Sequence, residues 1–159
     1  MNGHSPNFIQ NRIEWRADQH GLPYECTNFW GDAPDSLRSR LPSSFERPIV
    51  FSITEEGDAT IIGTEEVAIV EADNVTRFFL DDIADLSSPN IAEGKQKLDF
   101  DAVNVETSAR TYRLPTEKGK ACFAVWNILL TLSRMQRRDN KRVLSNRLPN
   151  RVKLRIESP

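Results

Sequence analysis

The fold is decided by residues 110–132, which read RTYRLPTEKGKACFAVWNILLTL. The first five residues alternate polar and apolar side chains and end at Pro115, a pattern that predicts a short half-buried strand. After Pro115 the apolar residues recur every three or four positions, which predicts a long amphipathic helix. The residues at this spacing are Cys122, Val125, Trp126, Leu129, Leu132 and either Met135 or Gln136.

The two ends of this helix carry residue types that suit a helix terminus. Thr116 is the predicted N-cap, and Glu117 lies in the first turn, where a carboxylate complements the positive end of the helix dipole. Arg134, Arg137 and Arg138 fall in the last predicted turn, where the dipole favours positive charge. The helix is therefore expected to run to about Arg138, a length of about 34 Å at 1.5 Å per residue.

Upstream of this stretch, β-branched and aromatic residues form short strands separated by tight polar turns. The predicted strands cover residues 49–54, 59–62, 65–71, 75–80, 97–103 and 110–114, with 81–86 as a turn into a further strand. Such tight turns favour antiparallel pairing, because parallel strands need a long crossover. The sequence predicts an α+β domain, in which an antiparallel meander forms a barrel or sandwich closed by one C-terminal amphipathic helix.

The N-terminal segment predicts a helical extension to this domain. Ser5 is the expected N-cap, Pro6 suits the first helical position, and Gly21 with Pro23 ends the helix. A second short helix is expected over residues 34–40. The chain is divided accordingly into a helical lead-in over 1–47, the predicted domain over 48–138 and a basic tail over 139–159. Residues 152–156 of the tail alternate as one more strand would.

Charge is distributed unevenly along the 159 residues, although the formal net charge is only −2. Residues 1–110 carry 9 basic and 20 acidic side chains, whereas residues 111–159 carry 12 basic and 3 acidic ones. Such asymmetry indicates an electrostatic partner, within the molecule or outside it. No run of 18 apolar residues occurs and no secretory pattern opens the chain, so we expect a cytoplasmic protein without a transmembrane segment.

The order of strands and helix resembles the pleckstrin-homology-like fold, and more closely the bacterial PH-like domains. The similarity covers about residues 48–135, in the segments GTEEVAIVEAD (63–73), TRFFLDDIADL (76–86), KLDFDAVNV (97–105) and the stretch 110–132. It includes a strand that ends in Leu-x-x-Ile, here Leu80 to Ile83, and Trp126 in the closing helix. The resemblance implies a binding module and not a catalyst.

Phosphoinositide-binding members of the wider PH family hold phosphates with a basic first hairpin, which corresponds here to residues 49–62. Phosphate binding needs clustered Arg and Lys, because these residues supply charge-assisted hydrogen bonds. The turn of this hairpin instead contains Glu55, Glu56 and Asp58, with only Arg47 nearby. The sequence therefore argues against inositol-lipid binding at the usual place.

No pattern in the chain predicts a catalytic, cofactor or metal site. The carboxylate pairs 55–56, 65–66 and 81–82 are adjacent in sequence, so in a strand their side chains point to opposite faces. His4, His20, Glu25 and Cys26 match no zinc spacing. Cys122 is expected to be an inert core thiol, and a disulfide between it and Cys26 stays open as an alternative to two free thiols.

Large aromatic residues cluster in the lead-in. The cluster consists of Trp15, Tyr24, Phe29 and Trp30. Interfaces favour such residues, and Trp15, Phe29 and Trp30 are candidate interface residues. The alternative is that they pack the lead-in against the sheet, because a short segment needs large side chains to dock.

The most informative feature is a run of nine cations within 22 residues near the C-terminal end. The run consists of Arg134, Arg137, Arg138, Lys141, Arg142, Arg147, Arg151, Lys153 and Arg155. The interpretation we favour is pairing with the acidic half, within one chain or between copies. Nucleic-acid contact, anionic lipid contact and binding of other proteins stay open, although the tail has neither aromatic interleaving nor an apolar anchor.

Together these observations predict a non-enzymatic binding or scaffolding module that mediates protein interaction or self-association. We expect neither a cofactor nor a metal ion. A nucleic-acid binder that uses the basic tail is the first alternative, and a lipid-headgroup binder is another. An enzyme whose site is assembled from dispersed carboxylates is the alternative we favour least.

Overall fold

The computed structural model describes residues 3–147, with side chains described as far as Lys141. Four helices and eight strands make up this part of the chain. The helices are α1 (Pro6–Gln19), α2 (Asp35–Arg38), α3 (Pro89–Ala92) and α4 (Lys120–Arg147). The strands are β1 (Thr27–Phe29), β2 (Pro48–Ile53), β3 (Ala59–Gly63), β4 (Glu66–Glu71), β5 (Asn74–Phe79), β6 (Ile83–Ser87), β7 (Ala102–Thr107) and β8 (Thr111–Pro115).

The strands form two antiparallel sheets. One contains β1 to β5 in chain order, and the other contains β6, β7 and β8. The Thr60 hydroxyl of β3 donates a 2.7 Å hydrogen bond to the carbonyl of Pro115 in β8, which joins the two sheets at one corner. The predicted α+β class is confirmed, and the architecture is a sandwich of two sheets and not a closed barrel.

Strand β1 is an element that the sequence analysis did not predict. Its three residues pair with the outer edge of β2, with Thr27 opposite Ser52. The Thr27 and Ser52 hydroxyls lie 2.7 Å apart and are fully buried, which fixes this register. The lead-in therefore contributes an edge strand to the larger sheet.

The larger sheet is buried on both faces. Alternate residues of a strand point to opposite sides. Ile62 of β3 therefore packs in the main core, which is formed by both sheets, α1 and α4, whereas Ile61 packs in a second cluster. That second cluster is covered by α2 and the loop after it, through Leu37 and Phe45. Because both faces are covered, every residue of β3 is buried, including Thr60.

The prediction of a strand over residues 97–103 is wrong for the first part of that range. Residues Lys97–Asp99 form a 3₁₀ turn, and strand β7 begins only at Ala102. The cause is the buried side chain of Asn90, whose Oδ1 accepts hydrogen bonds from the backbone N–H groups of Asp101 and Ala102. Its Nδ2 donates to the Asp101 carboxylate at 3.0 Å.

Helix α4 is displaced along the sequence from its predicted limits. It begins at Lys120, so Thr116 is not its N-cap. Residues before the helix are held by the segment that precedes β7, because the N–H of Thr116 donates to the carbonyl of Asp101 and that of Gly119 donates to the carbonyl of Phe100. At its other end α4 continues past Arg138 to Arg147. The strand expected over 152–156 lies outside the described residues.

Helix α1 matches its prediction and packs on α4. Ser5 caps it by accepting a hydrogen bond from the N–H of Phe8, with Pro6 at the first position. Ile9, Ile13 and Ala17 are buried in the main core, with residues of both sheets and α4. The N-terminal helix is therefore integrated with the core of the domain.

Candidate functional site

The exposed side of α4 carries a row of cations. Arg134, Arg138 and Lys141 are spaced by four and three residues, which places them on one helical face, and all three are exposed. We call these three residues the basic face. In the part of the chain that the structure describes, none of the three forms an ion pair.

Arg137 has a different role from the basic face. Its guanidinium donates a 2.8 Å hydrogen bond to the carbonyl of Ala84 and lies 4.0 Å from the Asp85 carboxylate. Arg137 therefore connects α4 to β6. Among the described side chains of the predicted basic run, it is the one that forms an ion pair with the acidic part of the chain. Of the other predicted cations, Arg142 and Arg147 lie in α4 with undescribed side chains, and Arg151, Lys153 and Arg155 lie outside the described residues.

A second surface feature lies on α1. Phe8 and Trp15 are 40 % and 48 % exposed, and their seven-residue spacing places them on one side of the helix. Arg12 lies between them, with its guanidinium carbon 5.7 Å from the Phe8 ring centroid and 5.6 Å from that of Trp15. We call Phe8, Arg12 and Trp15 the aromatic–arginine stripe.

The Phe8 end of the stripe lies close to the second half of α4. The His4 ring stacks on Phe8 with centroids 4.7 Å apart, and its Nε2 lies 2.7 Å from the carboxylate of Asp139, the residue after Arg138. The structure thus brings cations predicted at one end of the chain beside aromatic residues from the other end. Neither this proximity nor the exposure of Phe8 was predicted from the sequence.

The two other predicted interface aromatics pack within the protein. Phe29 of β1 is half-buried against the main core. Trp30 is half-buried against the second cluster, with its ring 6.4 Å from that of Phe51 and the Arg38 guanidinium 5.2 Å away. Among Trp15, Phe29 and Trp30, it is therefore Trp15 that presents the most surface.

An acidic cleft of about 330 Å³ lies near the beginning of α4. Its carboxylates come from Glu25, Glu55, Glu56, Asp101 and Glu117, with Lys118 at its wall. Glu117 is held in place because its N–H donates to the Ser52 hydroxyl at 2.9 Å and its carboxylate accepts from the N–H of Cys26 at 3.0 Å. The turn of the first hairpin therefore contributes negative charge to a cleft, as its sequence indicated.

The Cys26 thiol in this cleft is a weak nucleophile. Burial raises its pKa above the ordinary value, and the nearby carboxylates of Glu117, Glu25 and Glu55 raise that pKa further. A catalytic cysteine needs the opposite environment, in which positive charge stabilises the thiolate. Cys122 is buried in the main core, where desolvation also raises its thiol pKa. Both cysteines are free, which confirms the expectation of two unpaired thiols.

The environment of Cys26 leads to a prediction about its reactivity. We expect iodoacetamide to alkylate Cys26 more slowly than free cysteine at pH 8, because less thiolate is present. Glu55→Gln should accelerate this alkylation about twofold, since one carboxylate that raises the thiol pKa is removed. Mass spectrometry of the singly alkylated peptide measures the rate. Glu106→Gln, an exposed carboxylate on β7, is the matched control, and a Cys26 rate above that of free cysteine would contradict the prediction.

Two further findings concern the described residues alone. Over residues 3–147, no group of three or more His, Cys, Asp or Glu side chains is arranged to hold a metal ion. No helix in that range combines the length and the apolar character that crossing a bilayer requires.

Comparisons with protein families, curated proteins and solved structures give no match to this chain.

Proposed function

We propose that the protein is a non-enzymatic interaction module that self-associates head to tail, with the basic face of one copy meeting the acidic cleft of the next. The observation that supports this most directly is the basic face itself. Three exposed cations share one side of α4 and, in the described part of the chain, have no carboxylate partner. Unpaired charge of one sign steers association toward a surface of the opposite sign.

The acidic cleft supplies such a surface on a second copy. Glu25, Glu55 and Glu56 are exposed and, within the described residues, make no ion pair. The cleft lies at the beginning of α4, whereas the basic face occupies its second half. From Lys120 to Arg138 the helix rises about 27 Å. One rigid copy therefore cannot bring its own two surfaces together, and a contact between unlike surfaces of two copies is heterologous.

The non-enzymatic part of the proposal rests on the chemistry of the cleft and on the fold. The cleft holds carboxylates beside a thiol whose pKa is raised, which disfavours nucleophilic catalysis. Two antiparallel sheets and a C-terminal helix fit the PH-like arrangement that the sequence resembles. Membership of the PH-like domains and a cytoplasmic location are part of this proposal.

Salt dependence of the molar mass tests the proposal. Light scattering coupled to size exclusion should show a mass that rises with protein concentration at low salt. At about 1 M salt, where the Debye length is about 3 Å, the mass should fall to that of one chain. A monomer mass at every salt and protein concentration would remove the proposal.

Neutralising variants then identify the two surfaces. Arg134→Gln with Arg138→Gln should weaken self-association about tenfold, and so should Glu55→Gln with Glu56→Gln, because each loses two ion pairs. Arg110→Gln with Arg113→Gln removes the same charge from an exposed part of the β7–β8 hairpin and should have little effect.

An equimolar mixture of the two variants tests whether one basic face meets one cleft. Each variant keeps the surface that the other lacks, so the mixture should form one intact contact and stop at two chains. If both variants associate as strongly as the unaltered protein, the basic face and the cleft are not the interface.

A further inference from the structure

We infer that the aromatic–arginine stripe and the basic face together bind single-stranded nucleic acid. This goes beyond the proposed self-association because it adds α1, which that proposal does not use. The two proposals share the basic face, so a nucleic acid and a second copy would compete for Arg134, Arg138 and Lys141. Non-specific binding of single strands combines cations that follow the phosphates with aromatic rings on which bases stack. The aromatic component is absent from the basic C-terminal run itself, and the fold supplies it from α1.

The two rows have matching dimensions. Phe8 to Trp15 spans seven residues of α1, and Arg134 to Lys141 spans seven residues of α4, each about 10 Å in length. The His4 ring, stacked on Phe8 and in contact with Asp139, places the start of one row beside the other. Because His4 contacts Asp139 and the Cys26 N–H donates to Glu117, α1 runs antiparallel to α4, so the two rows meet near Phe8 and extend in opposite directions. A strand that follows them in succession would place its phosphates on the cations of α4 and its bases on the rings of α1.

The carboxylate at this border does not repel a polyanion strongly. Asp139 has a side chain that is only 20 % exposed, and it faces the His4 ring. The cations beside it, Arg138 and Lys141, are exposed to solvent. The local charge of this surface is therefore positive, although the whole chain has a formal net charge of −2.

The geometry favours stacking over insertion into a membrane. Phe8 and Trp15 are about half-exposed, and the Arg12 guanidinium lies against both rings. The two rings offer flat surfaces on which bases can stack, and the Arg12 guanidinium between them can also stack on a base or bind a phosphate. Insertion of the same rings into hydrocarbon would take a charged group with them, which is costly.

Binding of labelled homopolymers tests the inference. Fluorescence anisotropy should detect binding of oligothymidylate and oligouridylate of about 20 nucleotides at low salt, and the two arms distinguish DNA from RNA. With about three phosphates neutralised by the basic face, log K should fall with log salt at a slope of about −2. No binding of either oligonucleotide at low salt would overturn the inference.

Substitution of the rings by leucine separates stacking from apolar contact. Phe8→Leu with Trp15→Leu keeps an apolar surface but removes both rings, and should weaken oligonucleotide binding at least tenfold. Phe79→Leu alters another exposed ring, 55 % accessible on β5, and should leave binding unchanged. Arg12→Gln provides a variant that leaves both rings in place and should weaken binding severalfold. Unchanged affinity in the leucine variant would overturn the inference.

Three further measurements decide between partners and between proposals. Duplex DNA should bind more weakly than the single strands, and equal or tighter duplex binding would overturn a stacking site. Vesicles of phosphatidylcholine and phosphatidylglycerol that bind more tightly than the oligonucleotides would also overturn it, in favour of a membrane surface. Glu55→Gln with Glu56→Gln should retain oligonucleotide binding, so loss of self-association in that variant reports on the proposed function alone.

Discussion

Replacing Leu129 by Ala is expected to lower the free energy of unfolding by about 3 to 4 kcal/mol, because it opens a cavity in the main core. Leu129 is fully buried on α4, between the helix and the two sheets. The truncation loses the transfer free energy of the removed groups and the packing contacts around them. Urea unfolding followed by circular dichroism measures the change as a lower midpoint at an unchanged slope.

The matched control for this prediction is Leu98→Ala. Leu98 is 74 % exposed, so the same truncation should change the free energy of unfolding by less than about 0.5 kcal/mol. A loss below about 1.5 kcal/mol at Leu129 would contradict the packing of α4 described above. Equal losses at the two positions would show that burial does not distinguish them.

The apolar period of α4 could be predicted from the sequence because it depends only on neighbours within the helix. The same period identifies Cys122, Val125 and Leu129 as buried, and all three are. The ends were harder to predict, since they depend on contacts with distant residues. The N–H of Gly119 donates to the carbonyl of Phe100, in the segment before β7, so α4 begins later than its residue types indicate. Past the predicted end at Arg138, Asp139 contacts His4 at the other end of the chain.

Strand β1 was missed for a similar reason. Three residues are too few for a periodic signal, and Asn28 at their centre is a residue type that strands disfavour. What makes Thr27–Phe29 a strand is the free edge of β2, with the buried hydroxyls of Thr27 and Ser52 in contact. Such an edge exists only after the distant strand has formed.

The candidate site was predictable in its parts but not in its assembly. The spacing of Arg134, Arg138 and Lys141 places cations on one face of any helix that contains them. Their proximity to Phe8 depends on the packing of α1 on α4, between residues more than a hundred positions apart. Neither composition nor local period contains this information.

Asn90 illustrates how a single buried polar side chain can override a local pattern. The side chains of residues 97–103 alternate between polar and apolar as in a strand. The Asn90 side chain nevertheless accepts hydrogen bonds from the N–H groups of Asp101 and Ala102. Replacing Asn90 by Ala is expected to cost about 2 to 4 kcal/mol, because two backbone donors lose their partner in a buried site. The loss should appear in urea unfolding, and hydrogen exchange of the Ala102 amide should accelerate.

Asn104→Ala is the matched control for Asn90. Asn104 is a half-buried residue on β7, and the structure shows no side-chain hydrogen bond for it, so its truncation should cost less than about 0.5 kcal/mol. Asn90 also anchors α3 against the start of β7, beside the Asp101 that lines the acidic cleft. If Asn90→Ala left both the stability and the exchange rate unchanged, water would be satisfying these donors, and the start of β7 would need another explanation.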